Sequence, residues 1–161
     1  MKPLRIIAAV GENGVIGCRG RLPWHVPADR RLFLERTRGG VVIMGRSTFE
    51  VELKGQALAG CINIVLSSRR EYRPRNAYHA TSLSRALCVA ERLPGGVVWV
   101  AGGRRPFEDA LPLAQRLHLT LIHRCFVGDV HFPSWRKHFT RKKSCNHVNG
   151  SPSCTFFTYE R

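Results

Sequence analysis

The chain has 161 residues, with 26 Lys and Arg against 11 Asp and Glu, for a formal charge of +15. That length suits one domain (1–161) and is short for two, and 43% hydrophobic with 23% charged residues reads as globular rather than disordered. No apolar run approaches the ~20 residues that cross a bilayer, so no membrane partner is expected.

The first element is a strand over Leu4–Val10; its apolar core is too short for a secretion signal, which points to the cytoplasm. A helix is expected over Pro27–Arg38, opened by Pro27 and ended by Gly39-Gly40. V-V-I-M (41–44) reads as a buried strand, followed by a helix start at G-R-S-T-F-E, and I-N-I-V-L (62–66) is another strand. Ser82 caps a helix whose Leu83, Ala86, Leu87, Ala90 and Leu93 form one face, and V-V-W-V-A (97–101) returns to strand. A short helix over P-F-E-D-A-L, a strand over Leu117–Ile122 and a closing strand over 154–159 complete the chain. The alternation predicts an α/β fold, a mostly parallel sheet with an antiparallel C-terminal edge strand, flanked by helices.

Six scattered cysteines show no zinc spacing, so no metal is expected and the thiols read as reduced. The cations are spread along the chain with only R-K-K at 141–143 in a tight run, and no aromatic RNA-binding signature joins them. A solvated basic surface is therefore the leading reading, and nucleic acid is not expected as a partner.

Three strand ends carry anion-binding chemistry: Gly45-Arg46-Ser47-Thr48, Leu66-Ser67-Ser68-Arg69, and Gly102-Gly103-Arg104-Arg105. Glycine lets a phosphate approach the backbone, free N–H groups face it, and the arginines add charge. Each alone is an ordinary turn or cap; three in one sheet suggest a groove for a dinucleotide with an extra phosphate. Asp29, in the first turn of the first helix beside Leu32 and Phe33, is either dipole decoration or a functional acid.

The strings N-G-V-I-G (13–17), L-P-W-H-V-P-A-D (22–29), V-I-M-G-R-S-T-F-E (42–50), V-A-G-G-R (100–104) and G-D-V-H-F-P (128–133) occur in the order of the dihydrofolate reductase family, which the chain resembles from residue 4 to residue 160. The resemblance implies NADPH-dependent reduction of 7,8-dihydrofolate to tetrahydrofolate by a monomer. Asp29 would be the only ionisable group in the pterin pocket, accepting hydrogen bonds from the 2-amino group and N3 and raising the proton affinity at N5. Thr120 would back Asp29 and Trp24 would hold a water. Ile7, Ala9, Leu22, Phe33, Thr48, Leu58 and Ala101 match pocket positions. Gly11–Trp24 matches a mobile loop, with Ala9, Ile16 and Gly17 at the nicotinamide. The three strand-end turns and Phe107 match the cofactor site, with Arg46, Ser67, Ser68 and Arg69 reading the 2′-phosphate.

The chain departs from the family at L-A-G-C (58–61), where Cys61 replaces the arginine that binds the substrate's glutamate tail, and at Arg30, a usually apolar position. Arg30 is expected to supply the missing cation, with Lys54 a weaker candidate, and reduced trimethoprim sensitivity follows. The alternatives are a reductase of a tail-less pterin or pyrimidine, or a basic nucleic-acid-binding protein on a retired reductase scaffold.

Overall fold

The structure, a computed structural model, describes residues 1–161. Ten strands and three helices form it: β1 (Leu4–Gly11), β2 (Val15–Gly17), α1 (Pro27–Thr37), β3 (Val41–Gly45), β4 (Ile62–Leu66), β5 (Tyr78–Ala80), α2 (Leu83–Arg92), β6 (Val98–Val100), α3 (Arg104–Ala110), β7 (Arg116–Ile122), β8 (Val130–His131), β9 (Arg141–Val148) and β10 (Cys154–Glu160). Eight strands make one sheet in the order β5-β4-β3-β6-β1-β7-β10-β9, and β2 pairs with β8 separately. The pairs from β5 to β7 are parallel; β10 runs antiparallel to β7 and to β9.

Parallel strands covered on both faces need apolar side chains throughout, which is why Val41–Met44 are all buried. Twenty-one buried residues pack on the face bearing α2 and α3, and a second cluster, including Val42, Met44, Phe49 and Trp99, packs with Phe33 and Leu34 of α1. Ser82 caps α2, its hydroxyl accepting from Arg85 N at 3.3 Å.

Several elements differ from expectation. The helix start at 45–50 is present but short: residues 46–52 are helical, and the last five, Thr48–Glu52, form a single wide turn closed by Leu53 N donating to Thr48 O at 3.0 Å. Helix α3 begins at Arg104 rather than Pro106, because Gly103 serves as its N-cap. The antiparallel edge is a hairpin of two strands, with β9 outermost; β5 and β8, short and without an apolar alternation, are absent from the sequence reading.

Because β1, β3, β4, β6 and β7 run parallel, their carboxyl ends lie along one rim. The turns at 45–48, 67–69 and 101–105 meet there, and α1 descends from the same rim toward the start of β3.

Candidate active site

A cleft of about 1120 Å³ runs along this rim, and 44 residues line it. Of the residues singled out from the sequence, the lining includes Ile7, Ala9, Ile16, Gly17, Leu22, Trp24, Asp29, Arg30, Phe33, Gly45, Arg46, Ser47, Thr48, Leu58, Leu66, Ser67, Ser68, Ala101, Gly102, Gly103, Arg104, Arg105, Phe107 and Thr120. Arg69 and Lys54 are the exceptions. Arg69 is exposed on the turn after β4, where its amide donates to Ser67 Oγ at 3.3 Å.

Pro27 opens α1 and places Asp29 in its first turn, facing β7. Thr120 lies two residues along β7 from His118, on the same face, and its hydroxyl hydrogen-bonds the Asp29 carboxyl. Burial pushes the Asp29 carboxyl above its usual range, and the Thr120 bond opposes part of that rise. Two other acids line the cleft, Glu52 and Asp109. Glu52 accepts from Leu22 N at 2.8 Å and Asp109 pairs with Arg105 at 3.1 Å, so Asp29 alone has neither a cation nor a backbone amide as partner.

The segment from Gly11 to Trp24 crosses the cleft and is held at both sides. Strand β2 pairs with β8, Asp129 N donates to Gly17 O at 3.1 Å, and Arg19 N donates to Asp129 Oδ1 at 3.3 Å. The Leu22–Glu52 bond ties its far end to the opposite wall. Trp24 packs against Phe126 with centroids 5.0 Å apart and planes tilted by 60°, and its buried Nε1 has no protein acceptor.

At the other end the backbone is bare. A Cβ on Gly102 would meet the Phe107 ring at 3.3 Å, and one on Gly103 would lie 3.7 Å from Thr48 Oγ1. The glycines therefore keep open a backbone surface bordered by the Thr48 hydroxyl, with Arg46, Ser47, Ser67 and Ser68 around it. Arg46 is held 3.8 Å from Glu50, and Arg104 is bonded to Glu108 at 2.7 Å.

Cys61 lies outside the lining. Its thiol is pushed up by burial, against a weaker hydrogen bond from Asn63, so it is a neutral group. Arg30 is exposed on the α1 flank shared with Phe33 and Leu34, which pack with Leu53, Leu58 and Cys61. Lys54 is exposed and does not line the cleft.

Sequence reasoning missed Leu53, Arg36 and Phe156 on the lining. Arg36 is half-buried seven residues after Asp29, with no carboxylate partner; its guanidinium donates to His118 Nδ1. The helical spacing Asp29–Phe33–Arg36 was the available signal.

The chain matches the dihydrofolate reductase family over residues 3–161. It is 38% identical over 132 residues to the dihydrofolate reductase type 3 of Salmonella typhimurium, covering 82% of this chain and 79% of that protein. Against the dihydrofolate reductase of Buchnera aphidicola (subsp. Acyrthosiphon pisum) the identity is 33% over 152 residues, covering 91% and 92%. The structure superposes on the dihydrofolate reductase from Enterococcus faecalis complexed with NADP(H) and RAB-propyl with a TM-score of 0.91, at 32% identity, covering 99% of this chain and 96% of that one.

Proposed function

The chain belongs to the dihydrofolate reductase family and reduces 7,8-dihydrofolate to tetrahydrofolate with NADPH, and on that premise we propose a division of roles among the cleft residues. The observation that carries it is Asp29, a carboxyl in the cleft wall with only a neutral hydroxyl partner. Ionised, it is acceptor-only, and it pairs with the 2-amino and N3–H edge of the pterin. That pairing orients the ring and raises the proton affinity of N5, to which water delivers the proton. Trp24, whose buried Nε1 is otherwise unpartnered, holds a water beside the pterin. NADPH, when bound, supplies the hydride.

The bare backbone at Gly45, Gly102 and Gly103, with Thr48, fits a pyrophosphate, and Arg46, Ser67 and Ser68 read the 2′-phosphate. With Arg46 cut to Ala, preference for NADPH over NADH falls about tenfold, the effect of one charge-assisted hydrogen bond. Equal loss with both cofactors would remove Arg46 from 2′-phosphate reading. The Gly11–Trp24 segment closes over the reacting atoms and excludes water.

Arg30 supplies the cation for the glutamate tail that Cys61 cannot. It lies on the right flank of α1 and lines the cleft, whereas Arg36 faces β7 on the other flank. In Arg30→Ala the KM for dihydrofolate rises about tenfold, the lower end for a charge-assisted pair because the side chain is exposed. The KM for a tail-less dihydropterin stays constant. An unchanged KM for dihydrofolate would remove Arg30 from tail binding and favour the second reading, a tail-less substrate, for which Cys61 speaks.

The same side chain changes the wall beside Asp29 against which trimethoprim packs, so we expect weak inhibition by that drug and stronger inhibition of Arg30→Leu. Equal inhibition constants for the two proteins would sink the idea. The enzyme acts as a cytoplasmic monomer in this reading, which light scattering checks by returning the mass of one chain.

A further inference from the structure

Cations that look scattered along the chain are gathered by the fold at one end of the sheet. From Arg136 to the C-terminus there are six Lys and Arg and one acid, Glu160. That acid is already engaged, 2.8 Å from both Arg116 and Arg141 and 3.9 Å from Lys143. Arg136, Lys137 and Lys142 are exposed and hold no ion pair. Strand β9 is the open edge of the eight-stranded sheet, and seven of its eight residues are exposed.

Aromatic rings interleave with these cations. Trp135 meets Tyr159 at 4.7 Å between centroids, and Tyr159 stacks on Phe157 at 5.7 Å with planes 29° apart. The Arg136 guanidinium lies 4.7 Å from the Trp135 ring and Lys142 Nζ 5.9 Å from the Phe157 ring. The rings come from positions 135, 157 and 159 and the cations from 136 and 142, a juxtaposition that only the β9–β10 hairpin creates. Phe157, at the inner end of the row, also lines the reductase cleft, but Trp135, Tyr159, Arg136 and Lys142 do not, so neither substrate nor cofactor accounts for those four.

We propose that this face binds single-stranded nucleic acid. Phosphates sit on the free cations and bases stack at the edges of the Trp135–Tyr159–Phe157 row, the combination that suits a flexible strand of any sequence. An anionic membrane fits less well, because a lipid surface also takes up apolar side chains. Trp135, Phe157 and Tyr159 are half-buried and packed against the core, so they offer edges rather than exposed apolar side chains to a bilayer.

The test is anisotropy of a labelled 12-nucleotide oligo(dT) with the full chain at 50 and 200 mM salt. Three phosphate contacts, one for each free cation, give about a 20-fold loss of affinity over that range. The triple variant Arg136→Gln, Lys137→Gln, Lys142→Gln disrupts no ion pair and removes nearly all of that salt dependence. Dihydrofolate turnover, read on the same samples, stays constant and reports the fold, so the two readings fail independently. No binding at 50 mM salt, or the wild-type salt dependence in the triple variant, would overturn the proposal. So would equal competition by polyglutamate or by phosphatidylglycerol vesicles, which would assign the face to another polyanion.

Discussion

Asp29→Asn loses a factor of about 10² to 10⁴ in kcat with dihydrofolate, the range for removing a charged or proton-directing group from a reacting centre. Asn keeps the size but turns an N–H₂ toward a ligand edge that is itself all donor, and it removes the charge that favours a proton on N5. The pH profile carries the sharper signature. Burial raises the Asp29 pKa, so the carboxylate that pairs with the pterin is lost on acidification at a higher pH than an ordinary Asp. In the wild type kcat/KM falls on that acid limb; in Asp29→Asn the limb is absent.

Stability moves the opposite way. The unfolded chain loses this proton near the ordinary value of about 3.9, while the native chain holds it to a higher pH. Stability from this group therefore drops as pH rises through that window, and the deficit persists above it. The Asn variant lacks the deficit, so its Tm exceeds the wild type's near pH 7 and matches it near pH 3. Turnover in Asp29→Asn within threefold of wild type would remove Asp29 as the pterin anchor, whatever the Tm does.

Asp29 is legible in sequence because its neighbours are rare: Pro27 one turn before Arg30, and Trp24 three before Pro27, occur in one local string. The turns at Gly45 and Gly102 are legible for a related reason, since a glycine directly after an apolar run leaves few local conformations open. Strand β9 is not legible. Arg141–Val148 has polar residues on both faces, so it carries no apolar alternation, and it is a strand because Cys154–Glu160 offers an unfilled edge. Its lysines suit an edge that must not recruit another sheet. Leu53 on the cleft wall was not legible, because its place depends on how the wide turn after β3 sits against the sheet, which no local pattern encodes, whereas Arg36 shares the helical spacing of Asp29 and Phe33.

The loop that crosses the cleft rests on one glycine. A Cβ at Gly128 would lie 2.3 Å from Val15 Cγ1 and 2.5 Å from Gly17 O, both in β2, and Val15 is 1% exposed. No rotamer change relieves contact with a backbone oxygen, so in Gly128→Ala strands β2 and β8 must separate. Separation breaks the Asp129–Gly17 and Arg19–Asp129 bonds that hold the loop down. The overpacking costs about 1–3 kcal/mol locally, which opening the loop avoids at little expense to the eight-stranded sheet. We therefore expect kcat to fall roughly 10- to 100-fold, the scale of displacing a group that excludes water or orients the reacting atoms, with a Tm change of only a few degrees. Gly96→Ala is the control, since its Cβ would meet nothing within 4 Å, and both kcat and Tm should hold. If Gly128→Ala kept wild-type kcat, the paired state of β2 and β8 would not be the one that turns over. A collapse of Tm with kcat intact at low temperature would mean the contact serves the fold rather than the loop.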